Sequence, residues 1–391
     1  MNTSKYIVPF YTIVYCLLYF VLALVLYILS LFFGYDGISL PLFAGGDDGA
    51  FYLEQAVNVA NEQPAVLTSI HILIFGYIFK LFNTENVIIL KGFNYIGNVL
   101  LVLLTLLILK KSTGYKGKYN TSAIILVSLL LFYPSLILNS SLSIYRDVWI
   151  FLYFLGSIYF FSNIFIVKSK YPILLNFLSL LFFIVMLGSY RKYALLSFLI
   201  ASALYILFNF RNKRGINFKK ILFTSLVGFT FAYSFLRKFK VPYVGLSFQD
   251  VLSYRQSSLE AGGSQMGISL DHANILSFYF NYFYSLISNT IGPLPWQVNS
   301  AATLVVFLTE SIIFVVIMLF LYKQRKSFSK LDMYLIMQST IWFMLISISN
   351  DNIGTAARLR IVGWLPLIII FSKHFSSYLF LRKQRKKARE F

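Results

Sequence analysis

The chain has 391 residues, 58% of them hydrophobic and only 12% charged, with a mean hydropathy of +0.74. Soluble domains carry about twice that share of charge, so the composition excludes a water-soluble globule or a disordered chain and indicates a polytopic membrane protein. A formal charge of +20 would suggest a polyanion partner for a soluble protein. In a membrane chain it reports where the loops lie, and no nucleic acid is expected as a partner.

The first apolar run, residues 7–33, carries no charge and holds the single cysteine, Cys16. It is too long for a signal-peptide core and is read as a retained first span. Further apolar runs cover residues 87–109, 122–138, 148–167, 173–189, 194–208, 221–236, 301–321, 331–348 and 361–381, which makes about ten transmembrane helices in one all-α membrane domain over 1–391. Residues 66–82 are also apolar, but they follow Pro64 and contain His71, Gly76 and Lys80, so a juxtamembrane or re-entrant helix is expected there.

Sorting the charges by side supports this count. With both termini cytoplasmic, the inner segments hold 22 of the 34 Lys and Arg but only two acids, Asp332 and Glu390. A full crossing by 66–82 would turn the Lys-rich loops outward, against the positive-inside bias. The two long loops, 34–86 and 237–300, then lie outside with nearly all the carboxylates. Chemistry is expected on that face. The sequence has no P-loop, no dinucleotide fingerprint and no His/Cys metal cluster.

The first outer loop contains GGDDGAFYLEQA, where Asp47 and Asp48 precede a helix with Tyr52, Ala56 and Ala60 on one face. Asp48 suits an N-cap, but a cap uses only one acid of the pair. A carboxylate at the membrane surface beside a second one has raised proton affinity, which suits a general base. The next outer turn, NSSLSIYRDVW, ends in Arg146 and Asp147. They would form an interfacial ion pair, or else Asp147 orients an acceptor while the planar Arg146 fork holds a phosphate oxygen.

Arg191, Arg255, Arg358 and Arg360 add cations on the side where the charge bias disfavours them. A lipid-linked phosphate would explain them collectively, and pairing with the outer acids would explain each singly. His272 beside Asp271 is a weaker base candidate, and the Gly-rich LEAGGSQMGISLDH reads as a flexible loop that could close over a ligand. His71 and His374 read as interfacial residues. Glu310 is the one acid within a span, either a proton site or an ion-pair partner for a neighbouring helix.

The order of features over residues 1–165 resembles the membrane glycosyltransferases of the GT-C superfamily, such as protein O-mannosyltransferases and bacterial lipid A aminoarabinose transferases. The likeness runs from a first span through GGDDGAFY, FGYIFKLFN and ENVIILKGFNYIGNVLL to YPSLILNSSLSIYRD. It implies a bacterial cell-membrane enzyme that moves a sugar from a polyprenyl-(pyro)phosphate donor to a glycan or lipid acceptor in the cell envelope. It also implies a base at Asp47 or Asp48 and a second acid at Asp147; the outer arginines Arg146, Arg191, Arg255, Arg358 and Arg360, placed by the charge bias rather than by the resemblance, would bind the donor phosphate. The chemistry has room for a divalent cation as cofactor. The adjacent acids depart from the family pattern, which separates them or pairs Asp with Glu. Residues 166–391 match the transferases poorly, and GTAARLR looks more like membrane polysaccharide polymerases, the alternative reading. A lipid or polysaccharide transporter is a second alternative, although no internal repeat supports it.

Overall fold

A computed structural model describes residues 6–40, 48–113, 116–167, 171–211, 223–224, 227–228, 230–231, 237–242, 245–258, 264–271 and 275–387. The protein is all-helical among these residues, with two isolated β-bridges and no strand. Seven helices are long and apolar enough to cross a membrane, and a bent pair makes an eighth candidate. The chain forms two compact units, the first from Met1–Arg191 with Ile368–Phe391 and the second from Lys192–Leu367.

In the first unit, α1 (Ile7–Phe32), α4 (Val87–Thr113), α7 (Asp147–Phe165) and α8 (Ile173–Tyr190) meet the length and hydropathy of a span. The expected single span over 122–138 is broken instead. α5 (Lys116–Leu131) and α6 (Pro134–Ser141) meet at a 65° bend. Pro134 accounts for it, because Pro lacks an amide donor and pushes Tyr133 into extended backbone.

The first long loop contributes α2 (Asp48–Ala60) and α3 (Ile70–Phe82). At 1.5 Å per residue, α3, with thirteen residues, reaches about 20 Å, short of the ~30 Å bilayer core. It stops where Asn83 takes left-handed backbone, and Asn86 then caps α4 by accepting the Ile88 amide at 3.0 Å. Tyr52, Ala56, Ile72, Phe75, Phe79, Leu90 and Ile144 form one buried cluster that ties the loop to the segment before α7.

Two glycines let helices approach closely. A Cβ at Gly76 of α3 would sit 2.3 Å from Val59 Cγ1 and 3.0 Å from the Ala56 carbonyl of α2, and one at Gly156 of α7 would sit 2.0 Å from the Phe183 ring of α8. Gly76→Ala is expected to destabilise by about 1–3 kcal/mol, the usual range for overpacking. Thermal unfolding would check this against Gly92→Ala, where the added Cβ meets nothing within 4 Å.

The second unit holds α9 (Lys192–Arg211), whose apolar part Lys192–Phe208 is shorter than a span. α10 (Phe248–Ser258) and α11 (Ile275–Ile291) follow, then the span Ala301–Ser327. That span comprises α12 (Ala301–Val306), a π-helical turn at Phe307–Ser311 and α13 (Ile312–Gln324). α14 (Lys330–Ser349) packs on α9, α10 and α11, α15 (Ile353–Leu359) follows, and α16 (Ile361–Lys387) begins here. The expected span 221–236 lies largely outside the described residues.

Sequence-local capping starts several of these helices. Ser329 and Asp332 form a capping box on α14, and Asn352 accepts the Thr355 amide of α15 at 2.9 Å. Ser247 and Asp250 cap α10, and the Ser247 amide and hydroxyl hold the Asp250 carboxyl below the usual carboxylate range.

Candidate functional site

Four charged residues meet at one end of the first unit. Asp48 begins α2, Arg146 and Asp147 stand at the start of α7, and Arg191 follows the last residue of α8. Asp147 is buried, with 1% exposure, and pairs with Arg191 at 3.3 Å. The Arg146 guanidinium lies 5.8 Å from the Tyr52 ring centre and its Nη1 donates to the Thr68 carbonyl at 3.5 Å. The Arg146 Nε–H is buried and has no hydrogen-bond partner among the described residues. Asp48 is half-buried, the more accessible of the two described acids.

Tyr52 stands among all four. Burial pushes its hydroxyl up to about 12, and the charges of Arg146, Asp48, Asp147 and Arg191 all act on it. It therefore stays a neutral hydroxyl at physiological pH.

Behind Tyr52 is His71 of α3, fully buried among aromatic rings. Its centroid lies 5.6 Å from Tyr52, 3.9 Å from Phe75 and 5.5 Å from Tyr190. Nε2 is 3.1 Å from the Ile144 carbonyl, so Nε2 carries the proton because a carbonyl can only accept. Burial lowers the imidazole to about 3 and keeps it neutral. His71 is thus a buried support of the site rather than an interfacial residue. Its signal was its place within the apolar run after Pro64.

The strap between α6 and α7 owes its shape to polar side chains from α3 and α4. Besides His71 on Ile144, Asn94 Nδ2 donates to the Tyr145 carbonyl at 2.9 Å while its Oδ1 accepts from Trp149 Nε1 at 3.0 Å. Lys91, 4% exposed, donates to the Leu142 carbonyl at 2.8 Å. Arg146 and Asp147 come next along the chain, so their placement follows from this main chain.

Three of the expected phosphate ligands lie in the second unit. Arg255 is 1% exposed and donates to the carbonyls of Ile268, Ser347 and Asn350 at 3.1, 2.9 and 2.6 Å and to Asp351 Oδ1 at 2.6 Å. Burial lowers the Arg255 guanidinium to about 10 and raises the Asp351 carboxyl, while their attraction opposes both shifts. Arg360 is fully buried and pairs with Glu310 and the Gly292 carbonyl. Arg255 and Arg360 thus direct their guanidinium groups, and Asp351 and Glu310 their carboxylates, into the fold. Arg358 is half-buried on α15. Asp47 and His272 lie outside the described residues.

No three His, Cys, Asp or Glu side chains gather among the described residues to hold a metal, and Asp147 faces a guanidinium. The site offers two acids, two arginines and a neutral tyrosine hydroxyl, enough to take a proton and bind an oxyanion. Compared with known proteins, the chain matches no family model, no curated protein and no solved structure.

Proposed function

We propose that this protein is a membrane glycosyltransferase that moves a sugar from a polyprenyl-(pyro)phosphate donor to a hydroxyl of a cell-envelope glycan or lipid at the outer face of a bacterial cell membrane. The observation that carries the reading is the convergence of Asp48, Arg146, Asp147 and Arg191 on Tyr52 at one end of a bundle of apolar helices. Asp48 and Asp147 stand where the resemblance of residues 1–165 to the GT-C transferases expects its two acids.

The chemistry is a single displacement. Asp48 takes the proton of the acceptor hydroxyl, and the acceptor oxygen attacks the anomeric carbon. The bond from that carbon to the phosphate oxygen breaks, and the phosphate leaves with the electron pair. Attack opposite the leaving group inverts the anomeric centre. Phosphate is already a good leaving group, so the demand is for a base and for cations that strengthen their hold as charge develops. Arg146 and Arg191 meet that demand, and Asp147 orients Arg191 through their ion pair.

In this reading ten spans place both termini in the cytoplasm and the two long loops outside. With Cys16→Ser as a cysteine-free background, Asn61→Cys is expected to react with an impermeant maleimide on intact cells. Lys326→Cys should react only after permeabilisation, and the reverse pattern would invert the topology.

The functional test is the lipid-linked glycan profile of a deletion strain. Loss of one sugar substituent, restored by the wild-type gene but not by the Asp48→Asn gene, is the expected result. Accumulation of a single unpolymerised repeat unit would instead make the chain a polysaccharide polymerase, and an unchanged profile would end the transferase reading.

A further inference from the structure

Lys91 is a charged side chain in the second turn of α4, and it is buried. Taking an ammonium out of water costs several kcal/mol unless its surroundings replace the lost hydration. Here main-chain carbonyls do so. Nζ donates to Leu142 at 2.8 Å and to Ser141 and Ile38 at 3.4 Å each. An ammonium has three donors and no acceptor, so main-chain carbonyls are suitable partners for it.

Those carbonyls mark the places that need holding. α6 ends at Ser141 with Leu142 as its C-cap, so Ser141 and Leu142 present carbonyls that have no partner within the helix, at the end where a positive charge is favoured. Ile38 belongs to the segment that leaves α1. One side chain thus joins α4, the end of α6 and the loop after α1. Asn94, one turn further along α4 and on the same face, takes the Tyr145 carbonyl, and His71 takes that of Ile144. The carbonyls of residues 141, 142, 144 and 145 are held in sequence, and the next two residues are Arg146 and Asp147.

We propose that Lys91 is a positioning residue for sugar transfer: its ammonium, seated among three main-chain carbonyls, sets the strap 142–145 so that Arg146 and Asp147 face Tyr52 and Arg191. The proposal rests on the transferase reading for its catalytic consequence and on the carbonyl contacts for its structural one.

The test compares Lys91→Ala, Lys91→Gln and Lys91→Arg in the purified full-length protein, with sugar transfer and hydrogen exchange of the strap amides as separate readouts. Lys91→Ala is expected to lower kcat about 100-fold, the effect of misplacing a reacting group by about 1 Å, with little change in acceptor KM. Exchange across 142–147 should rise, and ethylammonium added to Lys91→Ala should restore both kcat and protection saturably. Lys91→Arg, which keeps charge and donors, should retain most of the rate, and Lys91→Gln should not. Wild-type kcat and unchanged strap exchange in Lys91→Ala would overturn the proposal. If that variant does not insert, equal rates for Lys91→Arg and Lys91→Gln would do so. Should the wild type transfer no sugar, the transferase reading fails, and strap exchange still decides whether Lys91 holds the strap.

Discussion

Asp48→Asn is expected to slow sugar transfer about a thousandfold, inside the ~10²–10⁴ range that a positioned general base contributes. The amide keeps the volume of the carboxylate but cannot take the acceptor proton. Donor affinity should therefore survive and the loss fall on kcat. Asp147→Asn should behave differently. Asp147 is buried against Arg191, so its neutralisation frees a guanidinium rather than removing a base. The donor KM should rise, with a smaller change in kcat. Initial rates measured against donor concentration separate the two patterns, and a kcat defect confined to Asp147→Asn would exchange the roles assigned here.

Glu310→Gln carries the largest expected cost in stability. Glu310 and Arg360 are exposed by 1% and 0%, and the π-helical turn at Phe307–Ser311 lies within the span that carries Glu310. Arg360 also donates to the Gly292 carbonyl and lies 5.2 Å from the Phe314 ring centre, and Phe314 in turn stacks on Trp364. Removing one charge leaves the other buried without its counter-ion, which typically costs about 3–5 kcal/mol. The double change Glu310→Leu with Arg360→Met should recover most of that loss, because apolar replacements of a buried pair are often neutral or stabilising. Unfolding of the two single variants and the double variant in detergent closes the cycle. A double variant as unstable as the worse single one would show that the pair does more than neutralise itself.

Much of the fold was legible in the sequence because lipid leaves few options. A charge-free run of about twenty residues must satisfy its main chain internally, so the spans at α1, α4, α7 and α8 follow from hydropathy. The bend before Pro134 had a local cause as well, yet apolar residues on both sides masked it as one straight span. α3 was readable as a short apolar helix, because Pro64 precedes it and Lys80 lies near its end. The site was legible in part. Asp48, Arg146, Asp147 and Arg191 stood out as charges where apolar residues prevail, but sequence spacing could not say which would meet. Arg255 and Asp351 are 96 residues apart and Glu310 and Arg360 are 50 apart, and no periodicity connects them. The supports, Lys91, Asn94 and His71, were hidden because they bind main-chain carbonyls, which any sequence possesses.

The most direct test is turnover by the purified protein in lipid nanodiscs, supplied with a panel of polyprenyl-phosphate hexoses and an envelope-lipid acceptor. Release of polyprenyl phosphate is expected to depend on the acceptor, to accompany an inverted glycosidic linkage and to fall about a thousandfold in Asp48→Asn. Release that is equal in wild type and Asp48→Asn, or no release from any donor under conditions where the protein remains folded, would contradict the transferase reading.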